Sequence, residues 1–152
     1  MRKTVQACLL ILGLMAAVLL MMDSFSVVKT GTGNGATIQW DDNFERFCCE
    51  LAKGCSSDAE RVTVFRNWII QNISYDEESE VLFYQTFHVG KVMQSKKGVC
   101  FDYAGLFAAM CRSQGIPCYV LDGTYQGEPA FRHAWNRVFF DGQWWSLDTT
   151  RD

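Results

Sequence analysis

Residues 96–111, KKGVCFDYAGLFAAMC, decide the fold of this chain. Gly98 permits a turn, and the apolar residues after Cys100 recur at spacings that cover one broad helical face. The pattern therefore predicts a helix with Cys100 in its first turn. A thiol there lies near backbone N–H groups without helical partners and near the positive end of the helix dipole. Both lower a thiol's pKa and can stabilise an oxyanion, so Cys100 is the candidate nucleophile.

The composition fits one globular domain. The chain has 152 residues, 49% hydrophobic and 20% charged, enough for one core and too few for two. A formal net charge of −3 offers no basic field, which argues against nucleic-acid partners. The seven cysteines form no regular framework; pairing within the set Cys48, Cys49 and Cys55, or between Cys111 and Cys118, stays open. No C-x-x-C is present, so neither a metal site nor a cofactor is predicted.

The N-terminal segment has the features of an export signal. Two basic residues precede an apolar run from Val5 to Met22, which predicts that 1–28 is a signal peptide or an uncleaved membrane anchor. Either would make this segment the chain's only contact with the membrane. The domain would then lie outside the cytoplasm, extracellular or membrane-tethered. A Gly- and Thr-rich linker is predicted at 29–37, with the folded domain at 38–152.

Helices are expected first. Asp41 or Asp42 can cap a helix that ends near Gly54, and Asp58 can cap a second helix that ends at Asn72.

A small antiparallel sheet is expected after the Cys100 helix. Its predicted strands are 118–121, 133–140 and 143–147, with a polar loop at 122–129 and a type I′ turn at Asp141-Gly142. The order predicts an α+β fold in which N-terminal helices pack on the sheet and the nucleophile sits at a helix N-terminus.

Two residues of the predicted sheet could complete a catalytic group. His133 begins the second strand and Asp148 follows the third. Alone, a strand histidine is more often structural, and such an aspartate is normally a turn residue. With Cys100 they would supply nucleophile, base and orienting carboxylate on a rigid scaffold. Gln85 or Tyr84 is the candidate for a further oxyanion donor.

Tryptophans of the sheet are candidates for a substrate groove. Trp135 and Trp144 could line it, although an aromatic residue in a short strand is more often part of the core.

Ordered motifs resemble one family. GVCFDYAGLF, GIPCYVLDG, HAWNRV and DGQWWSLDTT, preceded by WIIQNISYD, resemble the bacterial transglutaminase-like superfamily over 61–150. The resemblance implies a papain-like core with a triad at Cys100, His133 and Asp148. Thr149 stands where the family often has proline or a small residue, and many members continue beyond the point where this chain stops.

These observations predict an exported cysteine enzyme that transfers acyl groups from amide bonds of proteins or peptides, including cell-wall-associated ones. Hydrolysis is favoured over cross-linking because no amine site or calcium loop is recognisable. The alternative is a non-catalytic binding module on a transglutaminase-like fold that recognises cell-wall or surface partners. Substrate, acyl acceptor, cleavage of the N-terminal segment and oligomeric state stay open.

Overall fold

The computed structural model describes residues 32–33, 36–79, 86–125 and 128–150. The helices are α1 (Asp42–Leu51), α2 (Asp58–Asn72), α3 (Val89–Ser95) and α4 (Cys100–Ser113). The strands are β1 (Thr32–Gly33), β2 (Ala36–Gln39), β3 (Ser74–Tyr75), β4 (Thr86–His88), β5 (Lys97–Gly98), β6 (Cys118–Tyr125), β7 (Glu128–Phe140) and β8 (Gln143–Leu147). Within these ranges no helix is long and apolar enough to cross a bilayer. The predicted signal or anchor at 1–28 lies outside the described residues.

Helix α4 forms the centre of the core. Nearly every residue from Cys100 to Arg112 is buried, because α2, α3, β6 and β7 all pack against this helix. Gly105 allows the close approach of Phe87, since a Cβ at this glycine would lie 2.8 Å from the ring. The predicted helix with Cys100 in its first turn is therefore confirmed, and nearly all of its residues are buried.

The main sheet is an antiparallel meander in the order β6-β7-β8. Asp141 and Gly142 have φ values of 52° and 77° and join Phe140 to Gln143, which confirms the predicted type I′ turn.

The polar loop predicted at 122–129 is wrong in its extent. Strand β6 continues to Tyr125 and β7 begins at Glu128. Pairing runs without interruption from Cys118↔Val138 to Thr124↔Arg132. An ion pair between Asp122 and Arg132 joins the two strands. Polar residues in this hairpin thus mark an exposed part of a strand pair.

The first two helices have well-defined starts. Asp41 caps α1, because its Oδ1 accepts the N–H of Phe44 at 2.8 Å. The cap of α2 is Ser57, which corrects the assignment of this role to Asp58. Ser57 has extended dihedrals (φ −139°, ψ 161°) and its hydroxyl accepts the N–H of Glu60, whereas Asp58 is already helical.

Short strand pairs complete the fold. Strand β2 pairs antiparallel with β1 and parallel with β4, so 32–33 and 36–37 of the predicted linker are extended and paired. The other pair, β3 with β5, is parallel and lies directly before Cys100.

Candidate active site

Cys100 is the first residue of α4, as predicted. The turn before it is tightly constrained, since a Cβ at Gly98 would lie 2.5 Å from the Cβ of Asp102. The Asp102 carboxylate accepts the N–H of Val99 at 3.0 Å. Glycine at 98 and aspartate at 102 therefore fix where the helix begins and hence the position of the Cys100 thiol.

The Cys100 sulfur lies in a polar niche although the residue is only 1% exposed. Burial raises the pKa of this thiol, while the backbone N–H groups of Ala134 and Phe101 act in the opposite direction. The sequence-based expectation of a lowered pKa for Cys100 is therefore wrong, because the effect of burial on the pKa is larger than the effect of the N–H groups at the start of the helix. The resting group is a neutral thiol that needs a base.

His133 and Asp148 form a direct hydrogen bond. The imidazole Nε2–H donates to Asp148 Oδ2 at 2.7 Å, with both side chains largely shielded from solvent. The other carboxylate oxygen accepts the Thr150 backbone N–H at 3.0 Å and its hydroxyl at 2.6 Å. Burial opposes ionisation, but the Thr150 and His133 bonds outweigh it and lower the pKa of Asp148. The carboxylate is thus charged and fixed in orientation.

The nucleophile candidate and this pair meet where α4 begins beside β7. Ala134, whose backbone N–H is near enough to lower the pKa of Cys100, directly follows His133. The Asp148 charge is also near enough to raise the pKa of Cys100. The structure therefore brings the three predicted residues into one place.

Asn136 holds the two elements of the site together. This buried side chain donates from Nδ2 to Ala104 O at 2.9 Å and to Tyr119 O at 3.2 Å. It thereby joins α4, which carries Cys100, to β6 and β7. Its Oδ1 is buried without a hydrogen-bond partner among the described residues. Sequence reasoning gave Asn136 no role, although it lies in the HAWN motif.

Tyr75 is a second site residue that the sequence did not reveal. Its hydroxyl is close enough to Cys100 that the thiol and the backbone N–H of Cys100 both act on the pKa of Tyr75. Burial raises the pKa of Tyr75, and so does a negative charge on Cys100. The phenol is therefore protonated at neutral pH. The available signal in the sequence was the end of the WIIQNISYD motif, which contains Tyr75.

Of the predicted groove tryptophans, Trp135 lies beside His133 and Trp144 does not. Trp135 stacks on His133, with ring centroids 6.3 Å apart and planes 17° from parallel. Trp144 pairs with Phe139, six residues along β7 from His133, which is about 20 Å at the usual strand rise. The structure does not bring Trp144 to the site. Tyr84 and Gln85 lie outside the described residues.

The described residues contain neither a disulfide nor a cluster of metal ligands. The six cysteines in the described part of the chain are all free thiols, and Cys111 and Cys118 are buried in the core as small apolar residues. Across the same residues, no group of three or more His, Cys, Asp or Glu side chains could hold a metal ion.

Sequence comparison identifies one family model. Residues 45–149 match the model described as the transglutaminase-like superfamily. The chain is 34% identical over 113 residues to the kyphoscoliosis peptidase of Mus musculus and 33% identical to that of Homo sapiens. Each alignment covers 66% of this chain and only 17% of the relative's length.

Solved structures share the fold. A candidate cysteine protease from Cytophaga hutchinsonii superposes with a TM-score of 0.61 at 26% identity, covering 72% of this chain and 37% of that one. The periplasmic domain of TgpA from Pseudomonas aeruginosa gives a TM-score of 0.60 at 22% identity, covering 74% and 43%. These matches confirm the predicted α+β, papain-like fold.

Proposed function

Because this chain belongs to the transglutaminase-like superfamily, we propose that it is a cysteine acyl-transfer enzyme with Cys100 as its nucleophile. The observation that carries the proposal is the 2.7 Å hydrogen bond between His133 and Asp148, near a thiol whose pKa responds to the backbone N–H of Ala134 and to the Asp148 charge. These are the three groups that thiol-based acyl transfer requires: a nucleophile, a base and an orienting carboxylate.

Acylation begins with proton transfer. Since burial keeps Cys100 neutral, His133 takes the thiol proton as the sulfur attacks the carbonyl carbon of an amide. Asp148 already holds Nε2, so Nδ1 receives this proton and the carboxylate stabilises the resulting imidazolium. The Cys100 backbone N–H stabilises the tetrahedral oxyanion. The imidazolium then protonates the leaving amine, and a thioester remains.

Deacylation runs through the same groups. His133 removes a proton from the incoming water or amine, which attacks the thioester carbonyl. The thiolate leaves and recovers its proton from the imidazolium, and a carboxylic acid or a new amide is released.

The proposed substrates are proteins or peptides, including cell-wall-associated ones, and we favour hydrolysis over cross-linking. Relatives with about one third identity carry the name peptidase, and a structural neighbour is described as a candidate cysteine protease. The chain spans 17% of the length of those relatives, so substrate choice is proposed for this domain alone. We also propose export of the domain, on the basis of the basic start and apolar run within 1–28.

The test compares the full chain with its Cys100→Ala variant on fluorescein-labelled casein, with and without dansylcadaverine as a primary amine. Cys49→Ala is the matched control, because Cys49 is an exposed free thiol. We expect casein cleavage by wild type and Cys49→Ala and none by Cys100→Ala. Incorporation of the amine without casein cleavage would indicate that the enzyme catalyses cross-linking and not hydrolysis. Equal turnover by wild type and Cys100→Ala would refute the proposed nucleophile.

A further inference from the structure

The reaction needs a second donor for the oxyanion besides the Cys100 N–H. Resting on the proposed function, we propose that the hydroxyl group of Tyr75 is this donor, which makes Tyr75 a further catalytic residue.

Backbone pairing brings Tyr75 next to the nucleophile. In the parallel pair of β3 and β5, Tyr75 lies opposite Gly98, two residues before Cys100. The Ser74 N–H donates to Lys96 O at 2.9 Å, and the Asp76 N–H donates to Gly98 O at 3.0 Å. These two bonds flank Tyr75 and fix its backbone relative to the start of α4.

The side chain is held by a second tyrosine. The Tyr75 ring packs on Tyr103, with centroids 6.0 Å apart and planes at 40°. The Tyr103 hydroxyl donates to Ile73 O at 2.6 Å, which joins α4 to the segment leading into β3. Tyr75 is nevertheless 45% exposed, so part of its ring has no packing partner that would prevent a small rotation.

The hydroxyl occupies the position that the reaction requires. The pairing of β3 with β5 places it beside Cys100, near enough to the backbone N–H and to the sulfur for each residue to shift the pKa of the other. In a tetrahedral adduct, the oxyanion is bonded to the carbon attached to this sulfur and lies about 3 Å from its donors. In the adduct, the substrate oxygen accepts the Cys100 N–H, and the phenol O–H of Tyr75 donates to the same oxygen. No proton leaves Tyr75 in this step.

The chemical state of the phenol suits this role. Burial raises the pKa of Tyr75, so the O–H is retained throughout the neutral pH range. A neutral donor stabilises the charge that develops in the transition state more than it stabilises the uncharged carbonyl group of the substrate, and it therefore accelerates the chemical step.

Two probes of the same thiol separate this role from others. Acylation by p-nitrophenyl acetate passes through an oxyanion, whereas alkylation by iodoacetamide does not. We expect Tyr75→Phe in the full chain to slow Cys100 acylation about 100-fold, the usual effect of losing one oxyanion donor. Alkylation of Cys100, followed by peptide mass spectrometry, should change less than about threefold. The Cys100→Ala variant supplies the background of the other thiols.

Tyr103→Phe is the matched control. It removes a hydroxyl from the adjacent ring and breaks the bond to Ile73 O, without touching the reacting atoms. It should reduce the thermal midpoint while acylation per folded molecule changes less than about threefold. A selective loss of acylation in Tyr75→Phe alone would support the oxyanion donor.

Other outcomes overturn the proposal. Unchanged or faster acylation in Tyr75→Phe would show that the hydroxyl only covers the thiol. Equal slowing of acylation and alkylation would show that it acts on the sulfur itself or on the fold. Nitrophenol release by Cys100→Ala at the wild-type rate, above any background from the other thiols, would instead refute the proposed function, so the two failures are distinguishable.

Discussion

Replacing Asn136 tests whether one buried amide holds the two halves of the site together. Asn136→Leu keeps the approximate volume but removes two hydrogen bonds, to Ala104 O and to Tyr119 O. Each such bond contributes about 1 kcal/mol net, and a buried carbonyl left unsatisfied costs about 1–3 kcal/mol. Removing Oδ1, which is buried without a partner among the described residues, offsets part of this loss. We therefore expect a destabilisation of about 2 kcal/mol.

The assay is urea unfolding of the full chain, followed by tryptophan fluorescence and circular dichroism. The matched control is Asn72→Leu, since the Asn72 Nδ2 donates to Trp68 O at 2.8 Å on an exposed helix surface. That variant should remain within about 0.5 kcal/mol of wild type, as is usual for surface substitutions. Asn136→Leu should also lose casein turnover, because the hydrogen bond that fixes α4, which carries Cys100, relative to β7, which carries His133, is missing. Wild-type stability in Asn136→Leu would refute this account of the amide.

Three further substitutions test the turn before Cys100 and the support of the carboxylate. Gly98→Ala places a Cβ 2.5 Å from Asp102 and should cost about 1–3 kcal/mol in urea unfolding. Gly90 lies in helix α3, and a Cβ added there meets nothing within 4 Å, so Gly90→Ala should stabilise the protein by about 0.5–1 kcal/mol. A Gly98→Ala variant more stable than Gly90→Ala would contradict the steric argument. Thr150→Val removes the 2.6 Å bond to Asp148 and should raise that carboxyl's pKa. Because the folded-state pKa of Asp148 is lowered, its contribution to stability is present above the unfolded value and is lost as pH falls through the folded one. Thr150→Val should therefore be less stable than wild type at neutral pH, with a smaller further loss on acidification, and parallel pH–stability curves would contradict this.

Local signals account for what the sequence predicted correctly. A glycine turn, a helical apolar pattern and an Asp-Gly pair each fix structure over a few residues, so α4, Cys100 at its start and the turn before β8 were predictable. Motif order then allowed His133 and Asp148 to be assigned, although nothing in the sequence shows that they lie 2.7 Å apart.

The errors and omissions come from non-local packing. Tyr75 reaches Cys100 only because two strands of two residues each pair in parallel, a signal too short to be read from sequence. Burial reverses the pKa shift expected for Cys100 at a helix start, and burial depends on the whole fold. The polar residues from 122 to 129 were interpreted as a loop because composition alone cannot distinguish an exposed loop from an exposed β-hairpin.

The central claim is that His133 activates the Cys100 thiol. The most direct measurement is the acylation rate of Cys100 by p-nitrophenyl acetate at pH 7, in the full chain and in His133→Ala, with the modified peptide identified by mass spectrometry. A buried thiol with a raised pKa depends on its base, so the rate should fall about 10²–10⁴-fold without the imidazole. Equal rates in the two proteins would contradict the claim.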